Sequence, residues 1–164
     1  MALINCSENS SQLPSDYSAS LIILNGASNV QYTNLNGTDQ VTYQIIVKYP
    51  ANDTISELNS RLKAKGWKAL EKDWLNPEIP TSHVRGWTNY VDGTESPNLE
   101  VHSWHSNWTN HQENILVYIL RYTYPIKTVS NMLNLDVAAI YIPDELAKKS
   151  ISQIQAYKKS LEKK

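Results

Sequence analysis

One stretch, residues 99–124, constrains the fold more than any other part of this chain. It reads LEVHSWHSNWTNHQENILVYILRYTY, two runs of bulky residues with a polar loop at residues 109–114 between them. Aliphatic and aromatic side chains alternate in the second run, which is the period of a β-strand. The pattern predicts an antiparallel hairpin of residues 99–108 and 115–124, and a preceding run at residues 83–91 extends it to a three-stranded meander.

Two Asn-Gly pairs mark turns in the first half of the chain. Residues 18–24 and 29–33 flank the pair at 25–26, which predicts a short hairpin. The second pair, at 36–37, precedes a strand predicted at residues 41–49. That strand alternates, so we expect one core face, Val41, Tyr43, Ile45 and Val47, and one half-solvated face, Thr42, Gln44, Ile46 and Lys48.

A helix is predicted over residues 54–65. Thr54 and Glu57 match a capping box, and aliphatic residues then recur at helical spacing. Gly66 suits the left-handed position that ends a helix, with Trp67 packing back on the last turn. We expect this helix to cover one face of the sheet.

The end of the chain predicts one more strand and one more helix. Residues 133–142 alternate as a strand, and Pro143 followed by two acidic residues is typical of a helix start. The helix carries several lysines and an apolar stripe formed by Leu146, Ile151, Ile154, Tyr157 and Leu161. A basic amphipathic helix packs on its own domain, or it docks on an anionic membrane or in the groove of a partner.

Together these segments predict an α+β fold. We expect an antiparallel sheet of five to seven strands, with one helix packed on a face and a C-terminal amphipathic helix. The length of 164 residues suits a single domain at residues 17–164, preceded by a flexible Ser- and Asn-rich tether at residues 1–16. The net charge of -1 provides no field to attract nucleic acid, so no such partner is expected.

Cys6 is the single cysteine of the chain, which excludes an intramolecular disulfide. An apolar residue lies three positions before it, in the sequence Leu3-Ile4-Asn5-Cys6. This segment resembles the lipobox of small exported bacterial lipoproteins, in which the cysteine is lipid-modified. The resemblance implies a longer native chain, a lipid anchor at Cys6, and a location in the periplasm or at the membrane. The other interpretation is a free thiol in a flexible tail.

The five tryptophans lie between residues 67 and 108. Exposed rings on a sheet are a platform for a carbohydrate or another flat ligand, and a nearby histidine and arginine would add directional hydrogen bonds. This interpretation predicts a ligand site made of Trp74, Trp87, Trp104, Trp108, His102 and Arg85. The alternative is cross-strand packing inside the core, which we favour for most of the rings, with Trp74 partly exposed.

The histidines do not form a recognised metal motif. His102 and His105 are three residues apart on a predicted strand, so their side chains point to opposite faces. No metal site and no cofactor are predicted, and neither a nucleophile elbow nor a phosphate-binding loop is present.

Three functions remain compatible with these patterns. The favoured one is a non-enzymatic cell-envelope domain that binds a ligand or a protein partner through a Trp-rich sheet face, tethered to the membrane through Cys6 and the basic C-terminal helix. One alternative is a hydrolase that pairs His102 or His105 with Glu100 or Asp92. The other is a structural or assembly protein.

Overall fold

The computed structural model describes residues 14–48, 51–76, 87–91, 99–125 and 132–161. Within them, seven strands and two helices follow one another in the chain. The elements are β1 (Ser28–Leu35), β2 (Thr38–Lys48), α1 (Asn52–Ala64), β3 (Lys68–Ala69), β4 (Trp87–Val91), β5 (Leu99–Thr109), β6 (Ile115–Pro125), β7 (Met132–Ile142) and α2 (Asp144–Leu161).

All seven strands belong to one antiparallel sheet. Its order is β1-β2-β7-β6-β5, and both β3 and β4 pair with the remaining side of β5. β4 lies along the beginning of β5 and β3 along its end. The predicted α+β class, with an antiparallel sheet and a C-terminal helix, is therefore confirmed.

The hairpin that dominates the sequence forms as predicted. β5 and β6 pair along their whole length, from Leu99 opposite Pro125 to Thr109 opposite Ile115. β4 adds the third strand of the meander, with Trp87 opposite Trp104. The first part of that predicted strand, residues 83–86, lies outside the described residues.

The hairpin predicted around the Asn-Gly pair at 25–26 is wrong. β1 pairs with β2 instead, through Asn36 and Gly37, whose φ angles are +54° and +82°. A two-residue turn with both central residues left-handed matches the twist of the strands that it joins. The segment before β1 does not pair as a strand, yet it carries Leu21, Ile22 and Leu24 into the core.

Helix α1 differs from its prediction at one end and agrees at the other. It begins at Asn52, and the residue before it, Ala51, makes no side-chain cap, so the predicted capping box is wrong. At the C-terminus Gly66 has a φ of +83°, and the Trp67 N–H donates to the carbonyl of Leu62 at 3.1 Å. This is the glycine-terminated cap that the sequence predicted, and Trp67 is buried.

The main core lies against one face of the sheet, which we call the inner face. Alternate residues of the long strands are buried there, and Leu58 and Leu62 of α1 belong to the same cluster. The strand residues of the inner face include Val41, Tyr43, Ile45, Leu116, Tyr118, Leu120, Leu135, Val137 and Ala139. The alternation predicted for β2 and β7 is thereby confirmed.

Helix α2 begins against the opposite, outer face. Ile115, Ile142 and Ala147 form a second cluster there, and Leu146 packs against it. The side chain of Asn114 accepts a hydrogen bond from the Asp144 N–H at 3.0 Å, which satisfies one free donor at the helix start. The helix is less covered toward its end, where Tyr157 is 63% exposed. In the described residues, neither helix has the length and apolar character needed to cross a membrane.

Candidate functional site

The tryptophans of β5 lie in the core and not on an open platform. Trp104 is 6% exposed and Trp108 is 1% exposed, and both belong to the inner-face cluster. The indole N–H of Trp108 donates to the hydroxyl of Ser106 at 2.9 Å, and that serine is also fully buried. Neither ring therefore offers a free face for stacking, and the packing alternative describes both of them.

Of the other residues of the predicted ligand site, Trp74 is the one whose side chain the structure describes. Trp74 is half-buried and packs against the outer-face cluster. Trp87 is on β4 and His102 is on β5, but their side chains lie outside the described part of the structure, as do Arg85 and Cys6. Of the predicted ligand site, the side chains that the structure describes are thus Trp74 on the outer face and Trp104 and Trp108 on the inner face.

Of the two histidines considered for a hydrolase, His105 is the one whose side chain the structure describes. His105 is half-buried on the outer face of β5, and burial lowers the pKa of its imidazole. Among the side chains that the structure describes, none forms a hydrogen bond with His105, and no cluster of metal-ligating groups occurs. Asp92 and the side chain of Glu100 lie outside the described residues.

An open groove of about 460 Å³ lies elsewhere, on the part of the outer face that α2 leaves uncovered. It crosses four neighbouring strands, β1, β2, β7 and β6. Its apolar side chains are Ile119 and Ala138, which are directly opposite each other. Its polar side chains are Asn29, Gln31, Thr42, Gln44, Arg121 and Asp136.

A row of side chains runs straight across the groove. Gln44 on β2 is opposite Asp136 on β7, and Asp136 is opposite Arg121 on β6. Side chains opposite each other on antiparallel strands are near neighbours on the same face. The row therefore places an amide, a carboxylate and a guanidinium side by side on an open surface.

Hydrogen bonds fix two members of this row. Gln44 Nε2 donates to Asp136 Oδ1 at 2.9 Å, and Asn29 Nδ2 donates to Gln44 Oε1 at 2.7 Å. Asn29 lies where the β1–β2 register shifts, and its φ is +53°. A bulge of this kind redirects a side chain, and the left-handed backbone of a non-glycine residue costs free energy. The strand irregularity thus aims Asn29 at Gln44, and Gln44 in turn holds the carboxylate.

Sequence reasoning did not identify this groove as a site. One signal was present, because the predicted half-solvated face of β2 contains Thr42 and Gln44. The other groove residues come from strands that are distant in the chain, and Gln44 and Asp136 are 92 positions apart. No local spacing links them.

The arrangement can hold a polar ligand through several directional contacts. The groove offers amide donors, a carboxylate acceptor, a guanidinium and a small apolar surface. Its described lining contains a hydroxyl at Thr42 and a carboxylate at Asp136, but no histidine, cysteine or serine. Comparison of the chain with protein-family models, with curated proteins and with solved structures gives no match.

Proposed function

We propose that this chain is a non-enzymatic binding domain whose outer-face groove holds a small polar ligand. The observation that carries the proposal is the hydrogen-bonded chain from Asn29 through Gln44 to Asp136. Amide side chains on an open sheet are ordinarily solvated and mobile, because ordering them costs rotamer entropy. Here a strained backbone position and two short hydrogen bonds order them before any ligand arrives. Such preorganisation favours affinity.

The proposal keeps the binding role expected from the sequence and moves it to the other face of the sheet. The inner face is closed by the core, with Trp108 and Tyr118 almost completely buried. The groove has an area of contact that is partly polar and partly apolar, the usual combination in sites for small molecules. A ligand therefore has directional partners there as well as a surface to cover.

Groove variants test this function. We would measure binding of a panel of monosaccharides, amino acids and small carboxylic acids by ligand-observed NMR. The parent is expected to bind at least one class, and Gln44→Ala and Asp136→Asn are each expected to weaken that binding by about tenfold. Gln44→Ala removes a preorganised hydrogen bond, and Asp136→Asn removes the negative charge of the carboxylate that accepts it.

The matched control is Asp53→Asn, which changes an exposed carboxylate in the first turn of α1, away from the groove. Its affinity for the same compound should equal that of the parent. Panel compounds that bind the parent and both groove variants equally well would contradict the proposal, as would a parent that binds none of them at millimolar concentration.

We further propose that Cys6 carries a lipid anchor and that the domain acts at the cell envelope. The support is the lipobox-like segment Leu3-Ile4-Asn5-Cys6. Intact-mass spectrometry of the protein expressed in bacteria from its full reading frame should detect a diacylglycerol addition, and Cys6→Ser should abolish it. A parent protein with an unmodified thiol would contradict the anchor and leave the groove proposal untouched.

A further inference from the structure

We infer that the ligand of the groove is a zwitterion with a carboxylate and an ammonium on one carbon, as in a free α-amino acid with an apolar side chain. This inference rests on the proposed function and specifies its ligand class. The reason is that Arg121 and Asp136 lie beside each other in the groove and do not form an ion pair with each other.

Arg121 and Asp136 are neighbours of opposite charge on the outer face. The two residues are directly opposite on β6 and β7, where opposite charges ordinarily form a cross-strand ion pair. Both side chains are exposed, so no neighbour blocks their approach from solvent. Yet within the described residues the Arg121 guanidinium has no carboxylate oxygen within 4.0 Å.

A hydrogen bond from Gln44 holds the Asp136 carboxylate on the side away from Arg121. Gln44, on the far side of Asp136 from Arg121, donates to Asp136 Oδ1 at 2.9 Å. Gln44 is itself held by Asn29 at 2.7 Å. The carboxylate is thereby directed toward β2, and Arg121 is left on the β6 side of the groove. A space between a fixed anion and a cation is the result.

The two charged groups of the groove match a ligand that carries both signs of charge. A guanidinium binds a carboxylate through two parallel N–H···O bonds, and a carboxylate accepts readily from an ammonium group. Asp136 Oδ2 accepts no hydrogen bond from the residues that the structure describes, so it is available to a ligand. A molecule with both charges satisfies Arg121 and Asp136 together, whereas a molecule with one charge leaves the other group solvated.

An apolar surface lies beside the two charged groups of the groove. The next outward-facing pair along β6 and β7 is Ile119 opposite Ala138, and both line the groove. This apolar pair continues toward Val117 and Ile140 beside α2. An apolar side chain attached to the zwitterionic carbon would cover this surface, and its burial is favourable.

Leucine and its two single-charge relatives test the inference. The probes are L-leucine, 3-methylbutylamine, which lacks the carboxylate, and 4-methylpentanoate, which lacks the ammonium. Isothermal titration at neutral pH should give leucine at least about tenfold tighter binding than either relative. Arg121→Gln should abolish the preference over the amine, and Asp136→Asn should abolish the preference over the acid.

Arg61→Gln and Asp53→Asn are the matched controls, because they neutralise a guanidinium and a carboxylate of α1. Both should keep the full preference for leucine. Urea unfolding of every variant checks that the fold is intact, which is expected since Arg121 and Asp136 are exposed.

Equal binding of leucine and its single-charge relatives would overturn the zwitterion. Absence of leucine binding, combined with binding of a neutral monosaccharide that is weakened by Asp136→Asn, would overturn the zwitterion and preserve the binding function. Absence of binding by every probe and every panel compound would overturn both.

Discussion

Trp108→Ala is expected to lower the free energy of unfolding by about 3–5 kcal/mol, the usual range for removal of a large aromatic side chain from a packed core. Trp108 is 1% exposed, and its indole N–H bonds the buried Ser106 hydroxyl at 2.9 Å. The substitution empties a large volume near the end of β5 and leaves the serine without that partner. Urea unfolding followed by circular dichroism measures the loss.

Trp74→Ala is the comparison for this variant. Trp74 is only half-buried and packs against the smaller outer-face cluster. Trp74→Ala should therefore lower the free energy of unfolding clearly less than Trp108→Ala does. A loss below about 1 kcal/mol for Trp108→Ala would contradict the core position of the ring, because such small effects are typical of surface substitutions. It would also restore the tryptophans of β5 as candidates for a ligand platform.

Tyr118→Phe is expected to cost about 1–3 kcal/mol at neutral pH, because it leaves a buried backbone donor without its acceptor. The Ile22 N–H donates to the Tyr118 hydroxyl oxygen at 2.7 Å, and the Tyr43 hydroxyl donates to the Ile22 carbonyl at 3.3 Å. These phenols attach the segment before β1 to the sheet. They are the reason that Ile22 can be buried without belonging to a strand.

The same two phenols predict a loss of stability in alkali. Burial raises the pKa of Tyr118 and of Tyr43 well above the value of 10.0 for a free tyrosine. The folded state therefore keeps protons that the unfolded state releases above pH 10. The contribution of the two phenols to the free energy of unfolding is fully present below pH 10. It is lost as the pH rises further, at a rate approaching about 1.4 kcal/mol per pH unit for each group.

Urea unfolding between pH 8 and pH 11.5 measures this dependence. The free energy of unfolding of Tyr118→Phe should decline less steeply above pH 10 than that of the parent, because the substitution removes one of the two buried phenols. Tyr157→Phe is the control, because Tyr157 is 63% exposed, and its decline should match that of the parent. Parallel declines of Tyr118→Phe and the parent would contradict the proton linkage.

Local patterns predicted the larger part of the fold. β5 and β6 are runs of bulky residues with a polar loop between them, β7 alternates over most of its length, and the α2 start has a proline followed by two acidic residues. The pairing of β1 was predicted wrongly, because two Asn-Gly pairs compete in that region. The pair at 36–37 joins Leu35 directly to Thr38, whereas two further residues, at 27–28, separate the runs around the pair at 25–26. Loop length decided between them.

The candidate site was much harder to predict than the strands. Alternation correctly placed Trp104 and Trp108 on one face of β5, but it does not specify which face of a sheet the core covers. The groove depends on β2, β7 and β6 becoming neighbours, and this order is set by long-range pairing. Asn29 adds a left-handed bulge position that no periodic pattern indicates.

The most direct test of the groove as a binding site is an amide chemical-shift map of ¹⁵N-labelled protein during titration with the panel compound that binds. The largest shifts should fall on Asn29, Gln44, Arg121 and Asp136, which share the outer face, while α1 stays unchanged. Shifts concentrated on β3, β4 and the tryptophans of β5 would instead place the ligand at the opposite end of the sheet and contradict the account.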